Sequence, residues 1–138
     1  MDHFFLRPEQ RTPARLEQPG GNVDYERFLA EVLQPLREGK AAEYRPYNCH
    51  SGVFDAPVRV EPAPVVLVEG SYSCHPDLWD YYDLRLFLTV DPEEQRRRLL
   101  AREGAEKVQD FALRWIPLEE RYFAAFDVAG RCDYCLEP

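Results

Sequence analysis

The chain has 138 residues, 45% hydrophobic and 30% charged, with a formal net charge of -8 and a pI near 4.9. These values describe a soluble globular protein of one-domain length, and they disfavour broad electrostatic binding to nucleic acid or an anionic membrane without excluding a local basic site. No apolar run approaches a membrane span and no signal-peptide pattern opens the chain, so a cytoplasmic address is expected.

Residues 6–22 hold Pro8, Pro13, Pro19, Gly20 and Gly21 among charges, which reads as a connector. Tyr25, Phe28, Leu29, Val32, Leu33 and Leu36 then follow the spacing of an amphipathic helix. Asn22 or Asp24 can cap its start and Gly39 marks its end, while Pro35 should kink it or end it early. Residues 43–61 read as two short strands of a β-hairpin around the turn Asn48–Gly52, outside the main sheet. Pro64 to Gly70 is the most informative stretch. Its four aliphatics predict a strand buried on both faces of a parallel sheet, ending at Glu69 where ligands of such sheets bind. The alternative is an acid that merely marks where the strand reaches water.

Leu84–Val90 predicts a second apolar strand, and Asp91-Pro92-Glu93-Glu94 a helix start, with a cap, a proline at the first position and two acids in the first turn. That helix ends near Gly104. Another is expected over residues 108–116, interrupted by Pro117, with an apolar face continuing to Phe126. Cys132 to Leu136 reads as a short last strand. The order argues for an α/β fold with a parallel sheet.

Several groups could carry chemistry. Arg98 and Arg102 share a helix face and suit a polyphosphate; the alternative is a solvated face balanced by Glu93 and Glu94. Asp2, Asp24 and Glu69 each adjoin apolar residues, and such acids can act as general bases. Asp2 otherwise is only a terminal residue and Asp24 only a helix cap. His3, His50 and His75 share no metal-ligand spacing. Cys49, Cys74, Cys132 and Cys135 match no zinc template, so ordinary reduced thiols are favoured over structural zinc.

Six segments in series resemble the uridine kinase family of P-loop nucleoside kinases, especially bacterial uridine kinase-like members. They are Met-Asp-His-Phe-Phe-Leu at 1–6, Asn-Val-Asp-Tyr at 22–25 and Tyr-Arg-Pro-Tyr-Asn-Cys at 44–49. Val-Val-Leu-Val-Glu-Gly-Ser-Tyr-Ser at 65–73, Asp-Pro-Glu-Glu-Gln-Arg-Arg-Arg at 91–98 and Arg-Trp-Ile-Pro-Leu-Glu-Glu at 114–120 complete the set. The resemblance implies a P-loop NTPase-like parallel sheet with flanking helices and a small hairpin, forming one domain over residues 1–138. It implies transfer of the γ-phosphoryl group of ATP, with Mg2+, to a hydroxyl of uridine or cytidine. Asp2 would be the base, Asp24 would hold the ribose hydroxyls, and Tyr47 and His50 would approach the nucleobase. Glu69 would stand near magnesium, and Arg98 and Arg102 would reach the phosphates. Phosphoryl transfer needs such positioning and charge neutralisation.

One departure is large. The family's G-x-x-x-x-G-K-[ST] phosphate loop does not occur in these residues. About 40–50 residues of the fold, roughly one β-α-β unit, are expected to be absent, including a central strand between 64–69 and 84–90. The expectation is a truncated kinase, inactive alone, or one whose loop another chain supplies. The exposed edges should give poor solubility or a homo-oligomer. Phosphoribulokinase and pantothenate kinase relatives share the plan, so the acceptor could be another sugar or small alcohol. The reading from another class is a non-catalytic nucleoside- or small-molecule-binding module derived from such a kinase.

Overall fold

Two prolines that should break helices sit inside continuous ones. The computed structural model describes residues 1–138. A helical run crosses residues 25–37 as α2 (Tyr25–Phe28), a π-helical turn (Leu29–Leu33) and α3 (Gln34–Arg37), after a short α1 (Pro13–Leu16). Pro35 lacks an N–H, and its ring would crowd the carbonyl four residues back in an α-helix. The wide turn relieves this, with the Gln34 N–H reaching the Leu29 carbonyl five residues earlier. The same device recurs before Pro117, where a π-helical turn spans Phe111–Trp115 and the Ile116 N–H reaches Phe111. The expected breaks at Pro35 and Pro117 therefore do not occur. Gly39, with φ +71°, closes the first run as expected.

The chain divides into two compact units, Met1–Asp83 and Leu84–Pro138. In the first, Phe4, Phe28, Val32, Leu33, Ala42 and Leu78 form the buried core. Phe4 meets Phe28 edge-on at 5.0 Å. The opening segment is stitched to the start of α2 through an antiparallel bridge of Phe5 with Val23 and the Asp24 N–H on the Phe4 carbonyl at 2.6 Å. The predicted hairpin forms in two tiers: β1 (Ala42–Tyr44) pairs with β4 (Val58–Val60), and β2 (Tyr47–Asn48) with β3 (Val53–Phe54), both antiparallel.

The expected strand at 64–69 is a correction. The segment joins no ladder, and Val65 and Leu67 are 83% and 85% exposed. Only Val68 packs against the core. Burial on both faces requires hydrogen-bonded neighbours and covering helices, and the first unit places neither there.

In the second unit, β5 (Leu86–Leu88) runs parallel to β6 (Tyr134–Leu136), with Leu86 opposite Tyr134 and Leu88 opposite Leu136. The fold is thus mixed α/β with small sheets, and parallel pairing is confined to this pair. The crossover is helical: α4 (Pro92–Glu103), α5 (Ala105–Asp110), the π-helical turn, α6 (Ile116–Phe126) and α7 (Val128–Arg131). Phe87 packs perpendicular to Phe123 at 5.0 Å, and Tyr122 is fully buried. Leu86, Leu88, Tyr134 and Leu136 are exposed. Asp91 caps α4, accepting from the Glu93 and Glu94 N–H groups. Asp91→Ala should cost about 1 kcal/mol, read as a lower urea midpoint for this unit with an unchanged slope.

Candidate functional site

The site residues predicted in the first 83 positions gather around the opening turn. Asp2 lies in a 3-10 turn, Asp2–Phe4, anchored by the buried Phe4 ring, and its side chain faces solvent. The Met1 ammonium donates to the Glu69 carbonyl at 2.7 Å. Burial lowers the pKa of this amine, and the nearby Asp2 and Glu69 carboxylates oppose the shift. Both acids therefore flank one point. Gly70 makes the approach possible: its φ is +138°, and a Cβ there would lie 2.7 Å from the Met1 Cβ.

Asp24 is buried and fully engaged. One carboxylate oxygen accepts from the Arg27 N–H as the cap of α2, at 3.1 Å. The other accepts from the Gln10 side-chain amide at 2.8 Å and stands 3.8 Å from the Arg27 guanidinium. The cap reading of Asp24 thus describes its state here.

Arg27 binds the pieces together. Its guanidinium donates to the His3 carbonyl at 2.8 Å and the Arg45 carbonyl at 2.9 Å, and lies 4.2 Å over the Phe4 ring. One side chain so ties the opening turn, the helix start and the hairpin. Tyr47 is buried on β2, edge-on to Phe54 at 5.6 Å. His50 sits exposed in the hairpin turn, whose backbone is held by Asn48 Oδ1 accepting from the His50 and Ser51 N–H groups. Burial raises the neighbouring Cys49 thiol, with Arg11 lowering and Asp2 raising it, so Asp2 lies within electrostatic reach of this turn. Gln10, Arg27 and Arg45 were not anticipated. The signal for Arg27 was its place three residues after a capping acid; Gln10 gave none.

A stacked set supports the same unit. The Arg15 guanidinium lies 4.5 Å over Tyr25, and Tyr25 stacks on the buried His75 at 3.8 Å and 15°. His75 Nδ1 accepts from the Asp77 N–H at 3.3 Å. Burial, aided by Arg15, pushes the imidazole below its ordinary value of 6.5, while Asp77 and Glu26 oppose the shift. The folded state therefore prefers neutral His75. Its contribution is complete above pH 6.5 and is lost as pH falls below that value towards the folded pKa. His75→Gln should flatten this part of a stability-versus-pH curve measured by urea melts.

Arg98 and Arg102 lie in the second unit and do not converge on a shared anion. Glu94 accepts from Arg97 and from Arg98, at 2.6 and 2.7 Å, and these hydrogen bonds lower its carboxyl to about 2. Arg102 donates to Glu103 at 2.9 Å. The arrangement matches the balanced, solvated face. No helix is long and apolar enough to cross a membrane.

Comparison with known proteins adds a chemical class. No family model matches the chain. It is 30% identical over 81 residues, 58% of its length, to the chloroplastic phosphoribulokinase of Mesembryanthemum crystallinum. It is 31% identical over 93 residues, 64% of its length, to uridine kinase-like protein 3 of Arabidopsis thaliana. A chloroplastic phosphoribulokinase of Chlamydomonas reinhardtii matches at 25% over 81 residues. These distant relatives are kinases. The chain spans about a fifth of their length, with 20%, 20% and 22% of each covered.

Proposed function

We propose that residues 1–83 carry the acceptor side of a P-loop-type kinase that moves the γ-phosphoryl group of ATP to a hydroxyl of a nucleoside or sugar. The observation that supports this reading is the gathering of Asp2, Asp24, Tyr47 and Glu69, from four separate stretches, around the Met1–Phe4 turn. Asp2, exposed beside the hairpin turn, takes the proton of the acceptor hydroxyl. Asp24 holds acceptor hydroxyls by exchanging the Gln10 amide for them. Tyr47 walls the acceptor ring, and His50 approaches it from the turn. Glu69 suits Mg2+, which binds through one or two carboxylates and keeps several waters; there it would neutralise charge on the transferring group. Arg98 and Arg102 are the candidate phosphate contacts, each exchanging its glutamate for phosphate oxygens.

A second reading, a non-catalytic small-molecule-binding module, is favoured by one observation: Arg98 and Arg102 are already met by acids. One experiment separates the two. The purified chain is incubated with labelled ATP, Mg2+ and uridine or a pentose, and acceptor binding is measured in parallel by calorimetry. Transfer that Asp2→Asn abolishes supports the kinase. Binding without transfer, weakened by Asp24→Asn, supports the module. Neither binding nor transfer would overturn both.

A further inference from the structure

We infer that His75 is an acid-sensitive latch: when its ring takes up a proton, the segment 70–83 lets go of the start of α2 and the acceptor side of the site loosens. The effect on the acceptor rests on the proposed site; the latch itself does not.

His75 joins two elements that lie fifty positions apart. Its ring stacks on Tyr25, the first residue of α2, at 3.8 Å and 15°. Its Nδ1 accepts from the Asp77 N–H at 3.3 Å, capping the 3-10 helix Pro76–Tyr81. In that helix the Leu78 N–H donates to the His75 carbonyl at 2.9 Å, and Leu78 is fully buried in the first unit's core. At its other end the segment begins at Gly70, packed closely against Met1, next to the Glu69 carbonyl that receives the Met1 ammonium. Tyr25 in turn follows Asp24, the candidate holder of acceptor hydroxyls. One ring therefore couples both flanks of the candidate site.

Three features of this setting oppose a proton on the ring. An Nδ1 that accepts is unprotonated, so an imidazolium would turn a second donor towards the Asp77 N–H. His75 is 6% exposed, and its charge would be taken out of water. The Arg15 guanidinium already lies 4.5 Å from the centroid of the same Tyr25 ring. Two groups act the other way: the Asp77 carboxylate, 3.9 Å from Nδ1, and Glu26, which Arg15 holds on α2. The Tyr25 phenol is pushed up by burial and stays uncharged. Burial prevails, and the imidazole lies below its ordinary value of 6.5. In the opened segment the ring returns to water and to that value. Proton uptake below pH 6.5 therefore favours the open form.

The test is hydrogen exchange of the whole chain read by mass spectrometry at about pH 7.5 and about pH 5, corrected for intrinsic rates. Peptides covering 70–83 should lose protection about threefold or more at the lower pH, while the helices of the second unit keep theirs. The His75 ring, followed by NMR in the wild-type chain, should titrate below pH 6.5 and in step with this loss. His75→Gln keeps an acceptor for the Asp77 N–H and cannot titrate, so it should hold its protection at both pH values. Asp77→Asn removes a carboxylate that favours the charged ring and should move the midpoint to lower pH. Protection that ignores pH, that falls equally in His75→Gln, or that falls in both units together would overturn the inference, as would a His75 titration at or above 6.5. Calorimetric binding of ribose adds the acceptor arm: it should weaken about threefold at the lower pH in the wild-type chain and not in His75→Gln. Ribose that binds at neither pH would overturn the acceptor site and leave the latch standing. Constant binding while the segment opens would overturn the coupling between them.

Discussion

Asp24→Ala should unfold the first unit more readily by about 3 kcal/mol, a large part of the stability of an ordinary domain. The change removes the cap of α2, worth about 1 kcal/mol. It also strands two donors: the Gln10 amide and the largely buried Arg27 guanidinium. Breaking a buried charged contact by deleting one partner costs more than the contact contributes, because the remaining charge loses its answer. Arg27 retains Glu31 and two backbone carbonyls, which limits the loss. Asp24→Asn keeps the cap and an acceptor, so it should cost about a third as much. Urea denaturation followed by tryptophan fluorescence gives both numbers. A cost for Asp24→Ala below about 1 kcal/mol would mean that the cap and the buried network contribute almost nothing.

The second large effect concerns association. Val65 and Leu67 stand in water on a segment whose backbone joins no ladder. Extended apolar segments with open backbone donors and acceptors recruit further strands. The wild-type chain should therefore self-associate with rising concentration and bind an apolar fluorescent dye. Val65→Lys combined with Leu67→Lys should suppress both, because charged side chains blunt an open edge. Since the two side chains touch little, the change in unfolding free energy should stay within about 0.5 kcal/mol. Sedimentation velocity over a wide concentration range reads the outcome. A wild-type chain that remains monomeric throughout would contradict this account of the segment.

What was legible in the sequence was mostly local. The start of α4 depends on Asp91 reaching the next two N–H groups, a contact written within four residues. The hairpin follows from turn chemistry at Asn48–Gly52 and from the alternation of Val58 and Val60. The short strand at the end of the chain was also readable, although its parallel partner lies almost fifty positions away. The burial of 64–69 was not readable, because four aliphatics state a preference while burial depends on what lies beside them. The arginine helix shows the same limit: spacing put Arg98 and Arg102 on one face, and the rotamers gave each to a neighbouring glutamate. Within the candidate site the acids were visible as types. The tie through Arg27 was not, since its partners His3 and Arg45 lie 24 and 18 positions away.

The wide turns ahead of Pro35 and Pro117 have a consequence for sequence length. A turn closed five residues back holds one residue more than the α-helical circuit it replaces. Each of these helices can therefore be viewed as an ordinary one with a single-residue insertion, absorbed where a proline already forbids the regular bond. Deleting one residue from 29–33 should be tolerated only together with Pro35→Ala. Deletion alone restores the regular circuit and so drives the ring into the preceding carbonyl. The two positions mark where each helix carries one residue beyond the regular α-helical count.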